Sequence, residues 1–222
     1  MIANAYIRWG LLPLAAYVVG STPFGVLLAR ARGVDLRKVG SGNVGATNCG
    51  RALGRRWGIL CFVLDVAKGL LPVLAAGWLV CPARGAPSAG QQACWLLTGC
   101  GAIAGHVFSF YLGFRGGKGV ATALGVVLGI WPYFTFAGLI ALGVWVAVTL
   151  TSRYVSLGSI VAAGVFLPAF AALQWRHLAR LWPMGAFAGL MVVLILVRHR
   201  GNIARLVAGT ENKISSAKPK EQ

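Results

Sequence analysis

Between Gly119 and Thr151 the chain runs 33 residues without an Asp, Glu, Lys or Arg. A continuous helix of that length would reach about 50 Å, against about 30 Å of bilayer hydrocarbon. The stretch therefore predicts two crossings, divided at Gly129-Ile130-Trp131-Pro132, where proline removes a backbone donor and ends a helix. Further apolar runs of about 20 residues recur along the chain, each of the length that spans a membrane. With 58% hydrophobic and 11% charged residues over 222 positions, a water-soluble domain is excluded. The runs are continuous rather than alternating, which in hydrocarbon selects helices over barrel strands. The expectation is an all-α polytopic membrane protein with about seven transmembrane helices.

The charges orient it. Span one is read as Trp9 to Arg30, uncleaved and interrupted at Gly20-Ser21-Thr22-Pro23, with only Arg8 before it. The loop to Arg56 holds Arg30, Arg32, Arg37, Lys38, Arg51, Arg55 and Arg56 and belongs on the cytoplasmic side. Span two follows at 57–80, an outer loop from Cys81 to Cys94, span three at 93–112, a short span near 120–130 and a full one near 132–150. The sixth ends near Leu173, an outer turn covers 174–180, and the seventh is 181–197. With the N-terminus outside and the C-terminus cytoplasmic, 16 of the 21 Lys and Arg fall inside. Residues 1–212 then form one membrane domain, and 213–222 a disordered cytoplasmic tail. The net charge of +17 does not indicate nucleic acid, because the cations lie in gaps between apolar runs rather than on one basic face. Five cysteines follow no metal spacing, so no metal is expected; Cys81 and Cys94 bracket the outer loop and could form a disulfide.

Four polar islands interrupt this apolar chain. The first, Gly40 to Arg51, combines glycines at 40, 42, 45 and 50 with Ser41, Asn43, Thr47, Asn48 and the fixed cation of Arg51. Glycine lets backbone N–H groups approach a ligand, and hydroxyls, amides and guanidinium are donors, so the segment suits an anion. Alone it would pass for a turn-rich loop. The second, Arg115-Gly116-Gly117-Lys118-Gly119 to Thr122, stands at a helix start and has the ingredients of a phosphate cradle. The third, Arg153 to Ser159, contains Ser156, which on an apolar helix could simply bond back to a carbonyl. The fourth opens with His199, Asn202 and Arg205 at i, i+3 and i+6 and includes Glu211. Asp65 and Lys68 share a face of span two; intramembrane charges default to a functional reading, here the edge of a polar cavity, beside the simpler one of mutual neutralisation. The proposed topology puts all four islands at one membrane surface.

These motifs, together with Gly20-Ser-Thr-Pro-Phe-Gly25, Asp65-Val-Ala-Lys68-Gly, Gly105-His106 and His199-Arg-Gly-Asn202-Ile-Ala-Arg205-Leu, closely resemble the bacterial acyl-phosphate:glycerol-3-phosphate acyltransferase family, the PlsY type, over nearly the whole chain. The resemblance implies an inner-membrane, multi-pass enzyme with its site on the cytoplasmic face. It implies transfer of a fatty acyl group from long-chain acyl phosphate to the 1-hydroxyl of sn-glycerol 3-phosphate, giving lysophosphatidic acid for phospholipid synthesis, with membrane lipid around it and possible handover from an acyl-phosphate-forming enzyme. It implies catalytic roles for Ser41, Arg51, Lys118, Ser156, His199 and Asn202. Substrate contacts fall to Gly40, Gly42, Asn43, Thr47, Asn48, Arg115, Gly116, Gly117, Gly119, Thr122 and Arg205, and structural roles to Asp65, Lys68 and Glu211.

The residue types suit that chemistry on their own account. Both substrates carry phosphate, which calls for cations and N–H donors, and the chain has only four acidic residues. Acyl phosphate is already activated, so the enzyme needs chiefly to position a hydroxyl and stabilise an oxyanion, with no cofactor and no covalent acyl-enzyme. His199 or a substrate phosphate could take the proton. The alternative is a transporter or flippase for an organic phosphate, which would favour a midplane site between internal repeats; no repeat is visible.

Overall fold

The computed structural model describes residues 7–81 and 85–214, so the expected tail from 215 onward lies outside the described residues. Among those residues the chain is helical without strands. After a π-helical turn at Ile7–Leu11, α1 (Leu12–Ser21) stops before Pro23 and α2 (Phe24–Arg30) resumes, which places the break where Thr22-Pro23 predicts it. The Thr22 carbonyl at the break accepts a 2.7 Å hydrogen bond from Lys68 Nζ. A short helix off the spans, α3 (Ala46–Leu53), leads into the long α4 (Arg55–Val80).

α5 (Ala89–Val107) begins earlier than expected, which shortens the loop after Cys81. The reason is a capping box: the Ser88 hydroxyl accepts from Gln91 N at 3.3 Å and Gln91 Oε1 from Ser88 N at 2.9 Å. The polar Gln91 and Gln92 look like loop residues in sequence, yet Gln92 is fully buried and donates to the carbonyls of Pro87 and Arg180. Cys81 and Cys94 are thiols rather than a disulfide.

The uncharged stretch divides as expected, into α6 (Val120–Gly129) and α7 (Thr135–Ser152). α8 (Val155–Leu173), α9 (Trp182–Arg198) and α10 (Arg200–Val207) complete the order. Five segments are long and apolar enough to cross a membrane, 9–30, 55–80, 89–112, 135–152 and 155–173, and α9 with α10, bent by 56°, make a sixth if taken as one. The remaining expected span is α6, whose ten residues reach about 15 Å, half a bilayer. Thr122 lies against Gly69, Gly125 against Val66 and Leu70, and Gly129 against Val73, so α6 runs parallel to the second half of α4. Gly69 is roughly 20 Å along the helix axis from Arg55.

The shared core sits under the turn from α6 to α7. Phe134, fully buried, meets Phe166 and Phe170 edge-on at ring separations of 5.3 and 5.0 Å and stacks on Phe187 at 6.0 Å. Outside, Leu71, Trp78 and Leu150 are 62%, 84% and 73% exposed, an apolar exterior suited to lipid rather than water.

Candidate active site

The first polar island is folded around one side chain. Asn48, buried in α3, accepts from the Ser41 N–H at 3.0 Å and donates to the carbonyls of Leu36 and Val39 at 3.0 and 2.9 Å. Gly40 is at φ 60°, and a Cβ there would sit 2.4 Å from Asn48 Oδ1, so only glycine lets the loop close on the amide. Asn48, expected at the substrate, lines the cavity, and its amide is engaged by three backbone partners that hold the loop in shape. Asn43 Oδ1 accepts from Gly45 N at 2.9 Å, a turn just ahead of α3. Gly40 and Gly42 shape the turn but do not line the cavity; Ser41, Asn43, Thr47, Asn48 and Arg51 do.

That cavity, about 120 Å³, brings together residues from all four islands: Ser41, Asn43, Thr47, Asn48 and Arg51, Lys118 and Gly119, Ser156, and His199, Asn202, Arg205 and Glu211. Glu211 is the hub. It accepts hydrogen bonds from Ser156 Oγ at 2.9 Å, Asn202 Nδ2 at 2.6 Å and Arg205 Nε at 2.7 Å. Ser156 therefore reaches across the cavity instead of bonding back to its own helix. Burial raises the Glu211 carboxyl, but the bonds from Asn202, Ser156 and Arg205 outweigh it and hold the group below its ordinary range. Lys118 Nζ donates to Asn202 Oδ1. Burial, reinforced by Arg205, Arg51 and Arg198, lowers the Lys118 ammonium to about 8, with Glu211 opposing. Arg51, also lowered chiefly by burial, donates to the Asn212 carbonyl at 3.2 Å.

His199 stands at the bend between α9 and α10, so the i, i+3, i+6 residues do not share one straight helix, yet all three line the cavity. Its Nδ1 is 2.8 Å from the Ile195 carbonyl. A carbonyl only accepts, so Nδ1 carries the proton and Nε2 of the neutral ring is an acceptor.

In the second island Gly116 and Gly117 do not offer their amides to a ligand: these donate to the carbonyls of Val107 and His106 at 3.0 and 3.1 Å. Lys118 and Gly119 face the cavity, with Val120 and Ala121 of the first turn of α6. Arg115 is exposed and does not line the cavity. Thr122 is fully buried against α4, because α6 turns its first face to Gly69. Asp65 and Lys68 pair at 2.7 Å, buried, and Asp65 also reaches the cavity wall.

Sequence reasoning missed Phe62 and Trp145, and gave no site role to Ser159, the last residue of the third island. They stand where the polar cavity meets an apolar chamber of about 100 Å³ between α6, α7, α8 and α9, floored by Val127, Phe166 and Met191. Phe62 and Trp145 stack at 6.3 Å, and Trp145 Nε1 donates to Ser159 Oγ at 3.2 Å. An aromatic inside an apolar run carries no signal of its own in sequence. Asn212, also missed, adjoins Glu211.

The family model for glycerol-3-phosphate acyltransferase matches residues 10–209. A protein of that name from Geobacter sulfurreducens is 45% identical over 207 residues, covering 93% of this chain and 97% of its own. Two crystal structures of PlsY, an integral membrane glycerol 3-phosphate acyltransferase, are similar as well. Its glycerol 3-phosphate form has a TM-score of 0.80 at 39% identity, and its lysophosphatidic acid form 0.77 at 38%; each comparison covers 93% of this chain and 95% of the other.

Proposed function

Since the chain belongs to the glycerol-3-phosphate acyltransferase family, we propose that it acylates the 1-hydroxyl of sn-glycerol 3-phosphate from long-chain acyl phosphate, releasing lysophosphatidic acid and phosphate. The observation that carries this reading is the junction of two unlike spaces. A cation-rich polar cavity with Lys118, Arg51 and Arg205 opens into an apolar chamber through a neck formed by Phe62, Val120, Trp145 and Ser159. Phosphates belong to the first and a hydrocarbon chain to the second, which puts the acyl carbonyl at the neck.

Lys118, with the first turn of α6, holds glycerol phosphate, and Arg51 stabilises charge at the acyl phosphate. The hydroxyl oxygen bonds to the carbonyl carbon, the oxyanion collapses, and the bond to phosphate breaks with its electron pair leaving on phosphate. The hydroxyl proton goes to His199 Nε2 or to a substrate phosphate oxygen. Ser41 is engaged through its amide, and among the described residues no histidine or carboxylate is hydrogen-bonded to its hydroxyl, which favours direct attack over an acyl-serine. The reading includes a bacterial inner membrane with the site facing the cytoplasm, where an acyl-phosphate-forming enzyme would supply the donor. Detergent-purified protein given glycerol 3-phosphate with acyl phosphate, acyl-CoA or acyl carrier protein thioester decides it. Lysophosphatidic acid should form from acyl phosphate alone; preference for a thioester would overturn the donor, and no product from any donor would overturn the activity.

A further inference from the structure

The loop that carries Lys118 is gripped from two sides, by Arg198 and by His106, which also lines the polar cavity. Its Gly116 and Gly117 carbonyls accept from Arg198 Nη2, at the end of α9, at 3.4 and 2.9 Å. On the other side the ring of His106, near the end of α5, lies so close beneath Gly117 that a Cβ on residue 117 would be 2.3 Å from Nε2. The ring adjoins a buried ion pair: Nδ1 is 3.7 Å from Asp65 Oδ1, beyond hydrogen-bond length, and that carboxylate is paired with Lys68. Lys68 in turn holds the Thr22 carbonyl at the break in the first span.

Asp65, Lys68 and His106 are 2%, 4% and 7% exposed. A buried ion pair is a poor source of stability, but it tolerates few arrangements and so fixes the register of what it touches. Here it fixes α4 against α5 and the break after α1, and through His106 the height of Gly117. Lys118 is the next residue. A displacement of about 1 Å at a substrate-holding group can cost on the order of a hundredfold in rate.

We propose that His106 and Arg198 are positioning residues for the glycerol-phosphate loop. His106, resting on the Asp65–Lys68 pair, supports Gly117 from below, while Arg198 ties the two carbonyls above, so that Lys118 and the start of α6 meet the phosphate. This rests on the proposed function, in which that loop holds glycerol 3-phosphate.

Steady-state kinetics of the purified enzyme, varying each substrate in turn, tests it. Arg198→Ala should raise KM for glycerol 3-phosphate about tenfold or more, with kcat and the KM for acyl phosphate changed far less, and Arg198→Lys should recover part of the loss. Gly117→Ala should raise the same KM, because its methyl collides with the His106 ring, and His106→Ala alone should raise it by withdrawing the support; in the double variant the clash is gone, so its KM should fall below that expected from the two single losses combined. A purely structural role would reduce the folded, active fraction and hence kcat without this division, and would give no recovery in the double variant. An unmoved KM in Arg198→Ala, or losses that simply add in Gly117→Ala/His106→Ala, would overturn the proposal. If Gly117→Ala does not fold, the two Arg198 variants decide alone. A wild-type protein that forms no lysophosphatidic acid refutes the functional reading instead, so the two failures are distinct.

Discussion

Lys118 and Arg51 carry the same charge in surroundings that give them different tasks. Lys118 is bound to Asn202 in the cavity and burial brings it to about 8, within reach of ordinary pH. Only the protonated amine pairs with a phosphate dianion, so kcat/KM for glycerol 3-phosphate should fall as pH rises through about 8. In Lys118→Arg, which keeps its charge, the alkaline limb should disappear. Lys118→Ala should raise KM for glycerol 3-phosphate by roughly tenfold to a hundredfold, the worth of a charged hydrogen bond, whereas Arg51→Ala should lower kcat even at saturation. The division of roles fails if both variants raise only that KM. For Ser41, rapid quenching after mixing enzyme with acyl phosphate should leave the protein mass unchanged. An adduct that vanishes in Ser41→Ala and is discharged by glycerol 3-phosphate would mean a covalent pathway.

Among the elements, the segment after α10 does most to assemble the site. Glu211 joins α8 to α10, Asn212 takes the Arg51 guanidinium from α3, and Ile214 N donates to the Arg153 carbonyl at 2.8 Å, so residues 211–214 strap three parts of the chain together. Glu211→Gln keeps the shape but removes the charge facing Lys118, Arg205 and Arg51, and should cut kcat/KM by about tenfold or more. Activity within twofold of wild type would show that the strap is only mechanical. Glu211 was legible in sequence as a structural residue, but not as the hub, because nothing local says that Ser156, 55 positions earlier, will reach it. The breaks at Thr22-Pro23 and Gly129 to Pro132 were legible because proline acts locally. Asn48, Gly116, Gly117 and Thr122 are donors of the kind an anion needs, and the resemblance adds them as substrate contacts, but neither signal shows what each donor is already bonded to. Whether a donor is already spent depends on which carbonyls the fold brings to it, and that is decided by packing across sequence distance.

For the molecule as a whole, the depth of the site and the orientation of the chain are linked. The cavity reaches Asp65, roughly 15 Å along α4 from Arg55, and α6 starts beside that level; we propose that α6 begins partway through the bilayer and so needs only ten residues before the chain turns back as α7. Residues 120–152 therefore leave and rejoin the site face, and Arg153, Arg198, Arg200 and Arg205 return to the side of Arg30, Arg55 and Arg56. Were the stretch a single crossing, those cations would lie opposite, against the charge rule, and His199 could not meet Ser41. With the five native cysteines replaced, Lys213→Cys should resist an impermeant maleimide in intact spheroplasts and react once the membrane is opened. Gln174→Cys, in the turn after α8, should show the reverse. Labelling of Lys213→Cys in intact spheroplasts, with Gln174→Cys protected, would invert the protein and put the glycerol-phosphate cavity on the wrong side for a cytosolic substrate.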